Sequence, residues 1–231
     1  MGMEHVDIYC ERVGPGLWGE PVNALTNVAF LIAGGVLIRL LSKEPGRVPV
    51  SLWLLPVTTV VVGLCSLAFH TVATGFTGLL DTVAILAFIL IAVVLTVHHV
   101  WTVPWRRSWL AAPGFVVFML GINAALATIG GEHTLLGGGY LPALVGLVGF
   151  GLAIRFKAPA ESRRFGTLVF WAAAVFAVSL AIRTLDGPLC GQLPVGVHFL
   201  WHCLNATVLF LVGYTLFRCY RAQAQSAVAC G

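Results

Sequence analysis

Seven long apolar stretches run through this chain, each of a length that can cross a hydrocarbon layer as one helix. Such a helix needs about 20 mostly apolar residues. The stretches are Asn23–Leu41, Ser51–His70, Leu80–Val100, Trp109–Thr128, Gly139–Phe156, Thr167–Leu185 and Val197–Tyr220. The breaks between them, such as "SKEPGRVP", "VPWRRS" and "KAPAESRRFG", are short and rich in turn residues, so consecutive helices should pack side by side. Composition points the same way. Of the 231 residues, 59% are hydrophobic and 10% charged, against roughly 25% charged in a soluble domain. The expected fold is all-α: one seven-transmembrane helix bundle over residues 1–231. Residues 1–22 form an acidic segment capping the outer side, and residues 221–231 a short cytoplasmic tail. The first twenty residues hold Glu4, Asp7, Glu11 and Glu20 and no apolar signal core, so insertion should rely on the helices themselves.

The basic residues set the expected orientation. Arg39, Lys43 and Arg47 flank the first break, and Arg106 and Arg107 lie in the third. Arg155, Lys157, Arg163 and Arg164 border the fifth, and Arg218 and Arg221 follow the last stretch. With seven spans all of these fall on one side, which the positive-inside rule makes cytoplasmic. Only Arg12 and Arg183 fall on the other side, with Glu4, Asp7, Glu11, Glu20, Glu132 and Asp186. The N-terminus is then extracytoplasmic. The net charge of +4 reflects topology, and no nucleic-acid partner is expected.

Ionisable groups inside spans are costly, so each is a functional candidate. "SLAFH" places Ser66 and His70 on one face at the outer end of the second helix. Asp81 opens the third helix at the same level, and "HFLWHCLNA" puts His198 and His202 one turn apart at the outer start of the seventh. Three histidines, an aspartate and a serine thus share one depth. Three protein ligands with an open fourth position are the pattern of catalytic zinc. Such a zinc acidifies water to a pKa of about 7. Asp81 would take up the proton and return it to a leaving group, and Ser66 would donate to a developing oxyanion. Helix–helix hydrogen bonding is the bland alternative for a membrane histidine. A bis-histidine haem leaves the third histidine and Asp81 without a role. His98 and His99 sit at the opposite end of the third helix and read as interfacial, while Trp53, Trp101, Trp105 and Trp109 read as an aromatic belt.

Cys10 and Cys190 both lie in outer polar segments, where a disulfide is permitted and two free thiols are the alternative. The acidic segment "DIYCERVGPGLWGEPVN" offers hard oxygen ligands but matches no EF-hand spacing, and taken alone reads as a solvated tail.

Taken together, "DIYCER…GLWGEPVNALTN", "SLAFH" eleven residues before Asp81, and "HFLWHCLNA" resemble the alkaline ceramidase family, seven-helix membrane hydrolases related to the adiponectin-receptor-like proteins. The resemblance runs from Asp7 to about Arg218. It implies a zinc amidase that cleaves ceramide to a sphingoid base and a fatty acid. The zinc ligands fall on His70, His198 and His202, the catalytic aspartate on Asp81, and the serine beside the zinc water on Ser66. It also implies a Cys10–Cys190 disulfide and a calcium site, with Glu11 and Glu20 as ligands, Tyr9 lending a carbonyl and Asp7 standing in for the aspartate missing at position 8. Here the chain departs from the family: Ile8 stands where an aspartate is expected, with Asp7 one place earlier, and Val13 replaces a polar ligand. The expected partner is a ceramide-like membrane lipid, and the alternatives are hydrolysis of a different acyl lipid or a lipid receptor with a structural zinc. Oligomeric state and acyl-chain preference are not legible.

Overall fold

The computed structural model describes residues 4–130 and 139–229, so Glu132, His133 and Cys230 lie outside the described residues. Within them the chain is all-helical, with seven principal helices: α1 (Val28–Ser42), α2 (Leu54–Val72), α3 (Gly75–Trp101), α4 (Ala111–Gly130), α5 (Leu141–Lys157), α6 (Gly166–Leu189) and α7 (His198–Ala229). A short turn of helix, Pro21–Thr26, leads into α1 and makes one apolar rod with it. Counting Pro21–Thr26 with α1, six of the seven are long and apolar enough to cross a membrane. The exception is α5, at 17 residues.

Each helix packs on the next, and α7 closes the ring against α1. It also touches α2 and α3, so the last helix is the most central. Helices α1 and α2 approach closely because small residues face the crossing: a Cβ on Gly63 would lie 2.7 Å from the Phe30 Cβ. Leu37, Leu55, Val62, Leu95, Ile154 and Leu216 are fully buried between the helices. Val57, Val61 and Leu64 of α2, Val117 and Leu120 of α4, and Trp171 and Val178 of α6 point outward. That much exposed apolar surface suits lipid rather than water. The interior meanwhile holds Glu20, Asn23, His70, Asp186, His198 and His202.

The structure corrects three expected boundaries. Helix α3 starts at Gly75, because Thr74 and Thr77 form a reciprocal capping box that the "VATG" break conceals. Asp81 therefore lies in the second turn of α3 rather than opening it. Helix α6 runs on through Asp186 to Leu189, a turn beyond its expected end. Helix α7 continues to Ala229, so the expected tail is helical over most of its length. Gln223 donates to Val100 O and Ser162 Oγ, each at 3.1 Å, and Arg221 pairs with Glu44 at 3.1 Å. These contacts give the last turns partners that composition alone does not reveal.

Candidate metal centre and its cavity

The N-terminal segment is not a solvated tail. Val6 N–H donates to Ala73 O at the α2–α3 turn (2.8 Å), and the Tyr9 ring stacks on His198 at 3.7 Å. Burial pushes the Tyr9 phenol up to about 12 against the opposing pull of Arg183, so it stays protonated at ordinary pH. Cys10 and Cys190 stand at disulfide distance, with their Cα atoms 5.1 Å apart. The segment is thereby held over the ends of α2 and α7.

Beneath it, His70 of α2 meets His198 and His202 of α7. All three are almost fully buried, and one nitrogen from each lies within 4.8 Å of the others. The four-residue spacing in α7 puts both of its imidazoles on one face, and the central position of α7 brings that face to α2.

The outer nitrogens decide what the inner ones can do. His70 Nδ1 lies 2.6 Å from Glu20 Oε2. Glu20 is held below the usual carboxylate range: burial raises it, but hydrogen bonds from His70, Asn23 and Arg12 outweigh that effect. An ionised carboxylate only accepts, so His70 carries a proton on Nδ1, and as the neutral ring, the form that binds a metal, it presents a lone pair on Nε2. His202 Nδ1 lies 2.9 Å from Thr26 Oγ1. That hydroxyl already donates to Val22 O or Asn23 O, at 2.9 and 3.0 Å. It therefore accepts from His202, whose Nε2 is also left as a lone pair. The two Nε2 atoms face each other at 3.0 Å. Two buried neutral rings in this arrangement repel unless a proton or a metal cation lies between them. His198 Nδ1 is likewise buried with no partner among the described residues. A histidine whose far nitrogen is held by a carboxylate or hydroxyl is the usual surrounding of a metal ligand. The donor set therefore fits a divalent ion that accepts imidazole nitrogen, such as zinc.

Ser66 lies one turn before His70 on α2, and its hydroxyl is within hydrogen-bonding reach of Asp81. Asp81 Oδ1 is buried and has no partner among the described residues. Ser66, Asp81, Tyr140 and His202 line one cavity whose remaining wall is mostly apolar, including Phe88, Val208 and Leu216. It encloses about 1100 Å³, open space at its mouth included. Thr96, fifteen residues beyond Asp81 on α3, is also in its wall, so it runs about 22 Å at the helical rise of 1.5 Å per residue. The five residues expected at one depth are thus together, at the head of an apolar channel.

Sequence reasoning missed what orients them. Asp186, expected in an outer loop, is buried in the last turns of α6. Its Oδ1 accepts from Val197 N (2.7 Å) and His198 N (2.9 Å), and its Oδ2 from Cys10 N (3.2 Å). It thereby caps the start of α7 and pins the cap segment to it. Gly196 turns the chain onto this carboxylate with φ of +65°, and a Cβ there would collide with Asp186. Asp186→Ala should lower the thermal unfolding midpoint in detergent, at about 1.5–3 kcal/mol for each charge-assisted bond lost. An unchanged midpoint would remove Asp186 from this role.

The residues expected to hold calcium do not form an open oxygen cage. Glu11 accepts from Val22 N (2.6 Å) and Asn23 N (2.7 Å), one on each oxygen. Glu20 is committed to Arg12 and Asn23 as well as to His70. Asp7 and Ile8 are exposed, and Val13 is 90% exposed.

No curated protein matches the chain in a sequence search. A family model described as Ceramidase matches residues 9–229, nearly the full length and every residue of the site just described. The chain belongs to the ceramidase family.

Proposed function

We propose that the protein is a zinc-dependent intramembrane amidohydrolase that cleaves ceramide, or a ceramide-like N-acyl lipid, to a sphingoid base and a fatty acid. The observation that carries this reading is the pair of imidazole lone pairs, fixed by Glu20 and Thr26, that face each other 3.0 Å apart at the head of an apolar channel. His70, His198 and His202 would hold the ion. A zinc held there supplies Lewis acidity and an acidified water at neutral pH.

The protein's own groups do the rest. The channel takes the acyl chain, its depth of about 22 Å being well over half of a hydrocarbon core of about 30 Å. This places the amide at the channel head, beside Asp81 and Ser66. Asp81 Oδ1 accepts the proton of the attacking water and returns it to the departing amine nitrogen. The Ser66 hydroxyl steadies the tetrahedral oxygen, and the apolar wall keeps bulk water out and strengthens these contacts. The distribution of Lys and Arg supports an extracytoplasmic N-terminus and site, with the whole chain acting as one multi-pass membrane domain.

Metal analysis of protein purified without chelators should find close to one zinc per chain. A panel of N-acyl sphingoid bases, other N-acyl amines and acyl esters should then show catalytic turnover of the first class. Zinc with no turnover of any lipid would leave a structural ion in a receptor-like bundle. Turnover confined to esters would replace the amide assignment.

A further inference from the structure

Arg12 has a completely buried side chain on the outer face of the bundle. Its Nε donates to Glu20 Oε1 at 2.5 Å, Nη2 to the carbonyl oxygen of His70 at 3.0 Å, and Nη1 to that of Gly14 at 3.3 Å. The other oxygen of Glu20 holds the His70 ring. The guanidinium thus grips His70 twice, directly through its backbone and indirectly through the carboxylate that sets its tautomer.

A carboxylate and two carbonyls converging on a buried point are the donors a hard cation would take. Here a fixed organic cation fills that point. Gly19 makes room for it, since a Cβ there would lie 2.7 Å from both Arg12 Nη1 and Gly14 O. A calcium ion needs six to eight oxygens. The remaining carboxylate oxygens nearby are bound to backbone N–H groups or to His70 and Asn23.

We propose that Arg12 is the resident cation of the outer cap, that this cap takes no calcium, and that Arg12 is a positioning residue for His70 through Glu20. A guanidinium is planar, always charged and cannot dissociate. The coupling of the cap to the metal centre is therefore built into the chain and does not respond to calcium supply. The part concerning His70 rests on the metal reading above; the part concerning calcium does not.

Two measurements test it on the full-length protein in detergent. Equilibrium dialysis of wild type against radioactive calcium at up to millimolar concentration should find no stoichiometric binding. Calcium should change neither the thermal midpoint nor turnover at a measured, constant zinc content. Stoichiometric calcium binding lost in Glu20→Gln would overturn the proposal. In the second measurement, Arg12→Ala should weaken zinc retention about 10–100-fold, as loss of a partner behind a metal ligand does. Millimolar guanidinium should restore zinc content and turnover, whereas calcium should not. Unchanged zinc affinity in Arg12→Ala, or rescue by calcium, would sink the positioning role. If wild type holds no metal at all, the metal reading fails, while calcium dialysis and guanidinium rescue of the thermal midpoint still decide the role of Arg12.

Discussion

His202→Ala should yield a folded protein that has lost its zinc and, with it, all measurable lipid hydrolysis. His202 supplies one of the three nitrogens gathered within 4.8 Å, and its ring is aimed by Thr26 so that the lone pair faces His70. With it gone, two imidazoles remain, and a zinc site of two protein ligands falls short of the usual three or four. In the metal-free protein two effects oppose each other: relief of the two facing nitrogens, and loss of the Thr26 hydrogen bond together with a cavity in place of a buried ring. What disappears is the stabilisation that wild type draws from its bound ion, which scales with the logarithm of metal concentration over Kd. Metal content, thermal midpoint with and without added zinc, and turnover, all on one preparation, check this. Stoichiometric zinc in the variant would show that the ion sits elsewhere.

Asp81→Asn should separate binding from chemistry. Asp81 is not among the three clustered ligands, and the amide preserves its shape, so zinc should be retained. Asp81 lines the cavity with Ser66 and His202, and its Oδ1 is buried with no partner among the described residues; an amide cannot accept and return a proton there. General acid–base groups contribute about 10²–10⁴-fold, and turnover should fall by that range with little change in lipid binding. Full activity in Asp81→Asn would reassign the base.

Much of this was legible in the sequence because membrane chemistry is unforgiving. A histidine in an apolar run is conspicuous, and a spacing of four residues in a helix dictates a shared face, so His198 and His202 could be paired without coordinates. His70 and Asp81 could be matched to them by depth, since short breaks fix which helix ends meet. Local capping was harder. Thr74 and Thr77 extend α3 by a turn and more, although Gly75 beside them looks like a breaker. The long-range partners of the charged groups were not legible at all. Arg12 and Glu20 look like charges of a solvated segment, and Asp186 looks like a loop acid. Their burial follows from contacts with residues fifty or more, and in one case more than a hundred, positions away, which no local pattern encodes.

The cross-link between positions 10 and 190, together with a cluster drawn from the second and the last helix, has a consequence for biogenesis. Six helices can enter the bilayer and pack while the catalytic pocket does not yet exist. A chain that stops before the seventh has His70 without His198 and His202. On the proposed function the nascent chain is therefore inert toward the membrane that receives it, and lipid cleavage begins only once the seventh helix has packed.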